Sequence, residues 1–197
     1  MYELALLVTV VVILMGATTA AVAVIGPTLL FLESMLLLGA TLVIMFAMLF
    51  VSAEVVLRYA FSAPIPGHLE GSELLVPVIV FFAISYTQST HGHVGMDLVL
   101  DALAPAARRY ALMATLLVSI FICAVLAYFS GKNALQLWRF DDVTMSPPYF
   151  KTWPSAAAIP LGYVLISVRM YLQFLNLYDP KRFPAHEPAA GGFHAVD

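Results

Sequence analysis

Five apolar runs, each close to the length that crosses a bilayer, constrain this chain more than any other feature. They cover approximately residues 4–25, 32–57, 73–90, 110–131 and 155–175. A helix rising about 1.5 Å per residue needs about 20 apolar residues to cross about 30 Å of hydrocarbon, so each run is a candidate span. The expected fold is all-α: a polytopic integral membrane protein with four core transmembrane helices, an extra N-terminal transmembrane helix and one amphipathic surface helix. Composition points the same way. Hydrophobic residues make up 62% of the chain and charged residues 11%, against about 25% charged in soluble proteins, and mean hydropathy is +0.94.

The run over 4–25 reads as a retained helix. Met1, Tyr2 and Glu3 supply no positive stretch ahead of it, and it is longer than the roughly 7 to 15 apolar residues of a cleavable signal peptide. Gly26-Pro27 is expected to break it from the next run. The chain then divides into an N-terminal hydrophobic helix over 1–30, a membrane domain over 31–177 and a tail over 178–197. Rich in Pro, Ala and Gly, the tail reads as disordered.

Between the second and third runs, Pro64, Pro66 and Gly67 mark a turn. Ser72 is the expected N-cap of the following helix, with Glu73 favoured there by the helix dipole and Pro77 in the first turn, where a missing N–H costs little. After that helix, residues 97–109 suit a helix lying flat on the membrane. Met96, Val99, Leu100 and Leu103 share one face, and Asp101, Arg108 and Arg109 reach headgroups or water. A mixed loop is expected over 132–153, and Pro160 is expected to bend the last span.

Polar residues gather at the ends of the runs. Glu54 and Arg58 stand one helical turn apart at an exit from the membrane, followed by Tyr59 and Phe61, which suit headgroup depth. Glu33 opens the second run and Arg169 lies near the end of the last. With alternating spans they fall at similar depth, so an ion pair between them is expected. His91 and His93 invite a metal reading, but residues two apart on a helix point away from each other, and no third ligand is near in sequence. His93 is better read as a capping or interfacial residue, with no metal and no cofactor expected. The one cysteine, Cys123, lies in an apolar run and serves as a small core side chain. A net charge of −3 without a Lys/Arg block gives no footprint for nucleic acid.

Order and spacing then bring a family into view. Arg58-Tyr59-x-Phe61 at the end of one span, Glu73 opening the next, and Gly92-His93-Val94-x-x-Asp97 after it resemble the small membrane subunit (DctQ type) of tripartite ATP-independent periplasmic (TRAP) transporters. The family usually carries a Trp shortly before the acid, where Gly67 and His68 stand here. The resemblance runs from about residue 31 to about residue 175 and implies a non-enzymatic scaffold subunit. Its implied partners are a large membrane subunit, a periplasmic substrate-binding protein and the lipid bilayer. It further implies sodium-coupled uptake of an organic acid across the bacterial inner membrane, with a cytoplasmic C-terminus and surface helix. Lys and Arg counts alone leave the orientation tied. In that orientation Arg139, Asp141 and Asp142 lie in a periplasmic loop, where they are candidates for contact with the binding protein. The alternative is a membrane-anchor subunit of a redox or other enzyme complex.

Overall fold

The computed structural model describes residues 9, 22–90 and 104–179. Four long helices account for nearly all of them: α1 (Val22–Phe61), α2 (His68–Ser89), α3 (Pro105–Arg139) and α4 (Trp153–Tyr178). All four are long and apolar enough to cross a membrane. Among the described residues, extended pairing is confined to one antiparallel bridge between Val143 and Lys151.

The helices stand side by side in the order α1, α2, α4, α3, with α1 reaching α4 only slightly. α4 supplies more buried residues than any other helix. Its positions Ser155, Ala158, Gly162, Ile166 and Arg169 recur at steps of three and four and form a stripe of mostly small side chains, which lets neighbouring backbones approach in a medium without a hydrophobic drive between helices. At Gly162 the approach is closest: an added Cβ would lie 2.6 Å from the Phe81 carbonyl oxygen and 2.8 Å from its Cβ. Phe81 also meets Tyr163 edge to face at 5.0 Å. On the other side of α4, Tyr171 and Leu175 pack with Ile120 of α3. The outer helices, by contrast, leave large apolar side chains exposed along their length, among them Phe31, Met35, Leu38, Leu42 and Leu49 on α1 and Val118, Phe121 and Ile122 on α3.

Several expected boundaries move. Helix α1 runs through Gly26-Pro27 instead of breaking there; a spanning helix tolerates proline where neighbouring groups re-satisfy the freed carbonyl. The rest of the expected N-terminal helix lies outside the described residues. Helix α2 starts at His68, so Pro77 is inside it and Ser72 is not its cap. Gly67 holds the N-cap with φ 73°, a left-handed conformation that glycine adopts without a Cβ penalty, and Ser72 Oγ donates back to the His68 carbonyl at 2.7 Å. Residues 105–109 form the first turns of α3, not the end of a flat surface helix. Pro105 opens the helix where no N–H is needed, and Arg108 N–H bonds the Ala104 carbonyl at 2.9 Å. The remainder of that expected surface helix, Met96, Asp97 and Asp101 included, lies outside the described residues, as does the expected disordered tail from residue 180 on.

Candidate functional site

Two polar clusters lie among these apolar helices, one toward each end. The first joins α1, α2 and α4. Glu33 is 0% exposed, and Arg169 donates to it through Nε to Oε1 at 3.1 Å and through Nη2 to Oε2. Ser85 Oγ adds a third hydrogen bond to Oε1 at 2.5 Å. The arrangement is a fork of two parallel donors on a carboxylate, the geometry that arginine's planar guanidinium provides and lysine's ammonium does not. Because α1 and α4 scarcely touch elsewhere, the long Arg169 side chain is what ties them. Beside this node, Gln88 Nε2 donates to Gln173 Oε1 at 2.8 Å and Gln173 Nε2 donates to the Gln88 carbonyl at 3.1 Å, linking α2 to α4 again.

Counting along α4 fixes how deep the node lies. Arg169 is nine residues from the helix end at Tyr178, about 13 Å at 1.5 Å per residue. It is sixteen residues from the start at Trp153, about 24 Å by the same rise. The level of Tyr178 is tied to the start of α3, since Arg109 Nη2 donates to the Tyr178 carbonyl at 2.9 Å. Glu33 and Arg169 therefore meet more than two helical turns in from the Tyr178 end of α4. There, each charge alone would be costly, and each is neutralised by the other.

At the opposite end, Glu54 is almost fully buried and receives Arg58 Nε at 2.8 Å, one turn on. Arg58 Nη2 also reaches His68 Nε2 at 3.2 Å, and His68 Nδ1 is 3.2 Å from the Ile65 carbonyl and 3.6 Å from Glu54 Oε1. Two residues along α2, Glu70 Oε1 accepts from the backbone N–H of Ser146 at 3.1 Å and from its hydroxyl at 2.5 Å. Ser146 belongs to the segment 140–152 between α3 and α4, which folds back on itself. Thr144 N–H bonds the Phe150 carbonyl at 2.9 Å, and Lys151 pairs with Asp141 at 2.7 Å. Thr152 Oγ1 donates to Asp142 Oδ2 at 3.2 Å. The folded segment sits on Gly67 and Gly71: an added Cβ at Gly67 would be 2.5 Å from Pro148 Cδ, and one at Gly71 would be 3.5 Å from the Phe150 ring. A side chain at Gly67 would push the segment off α2, whereas at Gly71 a methyl would only touch the ring.

A family model described as tripartite ATP-independent periplasmic transporters, DctQ component, matches residues 47–179, about two thirds of the chain. The chain belongs to the DctQ family. It is a small membrane subunit of a TRAP transporter and a multi-pass membrane protein. No curated protein matches it. Within this DctQ subunit, the match begins in the second half of α1 and so takes in Glu54 and Arg169 but not Glu33.

The structure thus brings Glu33 to Arg169 and Glu54 to Arg58. Tyr59 and Phe61 are exposed at the end of α1, Glu73 is exposed in the second turn of α2, and Arg139 closes α3. Asp141 and Asp142 face Lys151 and Thr152 within their own segment. His93 and Asp97 lie outside the described residues. Sequence reading missed Ser85, Gln88, Gln173, His68 and the Glu70–Ser146 contact. His68 had a signal, since it stands where the family usually has an aromatic residue. A serine or glutamine inside an apolar run carries none until the packing is known.

Proposed function

We propose that this subunit is the rigid membrane scaffold on which the large TRAP subunit is mounted, in sodium-coupled, binding-protein-dependent uptake of an organic acid. The single observation that carries the reading is the row of four spanning helices whose intramembrane charges, Glu33 and Arg169, are bound to each other, while the flanks of α1 and α3 remain apolar and exposed. A substrate site would need polar ligands to replace the hydration of an ion or a carboxylate; here Glu33 and Arg169, buried among the spans, already engage each other. A one-layer row gives a partner a broad apolar face to pack against. On this reading the subunit is not an enzyme, and the substrate and sodium sites belong to the large subunit.

The membrane is the bacterial inner membrane. The Tyr178 end, with Arg108, Arg109 and the C-terminus, is cytoplasmic, and the end carrying residues 62–67 and 140–152 is periplasmic. Met145 is 98% exposed, which supports a role for its segment, with Arg139, Asp141 and Asp142, as the periplasmic contact for the binding protein. Reconstitution in liposomes with an imposed sodium gradient tests the division of labour. Uptake of an organic acid is expected only with the large subunit and the binding protein present, and accumulation by this subunit alone would overturn the proposal.

A further inference from the structure

Arg58 and His68 meet with a donor that cannot be anything else. A guanidinium carries only N–H groups and has no acceptor, so the 3.2 Å contact from Arg58 Nη2 requires an unprotonated Nε2 on His68. The ring proton then resides on Nδ1, from which it reaches the Ile65 carbonyl at 3.2 Å. Neutral His68 in this one tautomer thus bonds α1 through Nε2 and its own connecting turn through Nδ1. Its side chain is 15% exposed, so the ring is packed and not free to turn to other partners.

We propose that this contact is an acid-opened joint between the end of α1 and the turn that leads into α2. Histidine is the side chain whose charge ordinarily changes between pH 5 and 8. A proton added at Nε2 removes the acceptor and sets an imidazolium directly against the guanidinium. One of the two must withdraw. Arg58 is held by Glu54 through Nε at 2.8 Å and Nη2 at 2.5 Å, and Glu54 is nearly fully buried, so its release would strand a carboxylate. Across to α1, His68 has the bond to Arg58 that protonation destroys and the 3.6 Å approach of Nδ1 to Glu54 Oε1 that it keeps. The ring and the turn over 62–67 therefore part from Arg58, and Glu54 limits how far the ring travels.

The charged groups facing the ring are Glu54 and Arg58, both from α1. On α2 itself, Glu70, two residues along, is engaged by Ser146 through Oε1 while its Oε2 is buried without a hydrogen-bond partner, and the α3–α4 segment brings Pro147, Pro148 and Phe150 against Gly67, none of which titrates. Because Pro148 and Phe150 rest on Gly67, loosening the turn also loosens the seat of the segment 140–152. The joint would then tune the exposed face of this end to the acidity of its compartment, whichever partner meets that face.

Nitrogen NMR of the full chain in nanodiscs, labelled at histidine, should find His68 as the Nδ1–H tautomer at pH 8. Hydrogen exchange of residues 62–68 is then compared between the wild type and His68→Gln at the same pH, so that the intrinsic chemical rate cancels. Glutamine's carbonyl can accept from Arg58 and cannot titrate. The two proteins should match at pH 8, with the wild type exchanging about five-fold faster at pH 5.5, and His68→Ala, which has no acceptor, exchanging fast at both. Equal exchange of wild type and His68→Gln at pH 5.5, or an Nε2–H tautomer at pH 8, would overturn the joint.

Discussion

Removing Arg169 alone should cost far more than removing Arg169 and Glu33 together. Arg169→Leu leaves Glu33 fully enclosed with only the Ser85 hydroxyl on Oε1, and breaking a buried pair from one side costs about 3–5 kcal/mol. Glu33→Leu strands the guanidinium with a similar loss. In Glu33→Leu/Arg169→Leu no charge remains to be desolvated; what is left is the Ser85 hydroxyl without its acceptor, about 1 kcal/mol, offset in part by two apolar side chains of related size. At about 1.4 kcal/mol per decade, the single variants lose about two to three and a half decades in the folded ratio and the double loses less than one. Denaturant midpoints of the full chain in mixed micelles, read by circular dichroism, give the three differences for a double-mutant cycle. If the double variant loses as much as the two singles combined, the residues act independently and the node does not tie α1 to α4.

Three further outcomes are expected. Gly162→Ala should separate α2 from α4, because the new methyl would lie 2.6 Å from a backbone oxygen that cannot step aside; a loss of about 1–3 kcal/mol is expected, and an unchanged unfolding midpoint would contradict the close approach. Glu70→Gln should leave the bundle folded but raise hydrogen exchange at Ser146 and its neighbours, since a charged acceptor of two hydrogen bonds becomes a neutral one; equal protection in both proteins would mean that the segment is held by its proline and phenylalanine contacts alone. Single cysteines at Met145 and Arg108, in a chain with Cys123 replaced by Ala, should label from opposite faces of sealed vesicles, Met145→Cys from the periplasmic side; labelling from one face would refute the four-span topology.

The four spans were legible because apolar length is a composition property that packing does not alter. Their ends were less so. Gly26-Pro27 and Ser72 look like start and stop signals, yet α1 continues through the first and α2 starts ahead of the second, because in a spanning helix neighbours can satisfy what a proline frees. The same holds around Glu33, which opens an apolar run although the helix extends eleven residues before it. The pairing with Arg169 does not depend on where the helix starts, since it needs only alternating direction and matched position. The contacts of His68 were hidden for a different reason: its partners Glu54 and Arg58 are fourteen and ten residues away, across a turn whose geometry is set by Gly67 and not by any periodic pattern.

The close seat of Gly162 against Phe81 also decides how this subunit can deform. Two helices whose backbones nearly touch, reinforced by the Gln88–Gln173 exchange, cannot slide past one another without a collision, so α2 and α4 act as a single stiff beam. Helix α1 is fastened to that beam by polar contacts at two separated heights, Glu33 and Arg58, and α3 by packing around Ile120, by the approach of Gly131 to Pro160 and by the Arg109 link. Rocking passed on from a moving neighbour would meet mostly apolar surfaces at the α3–α4 seam, and such surfaces can shear by small steps.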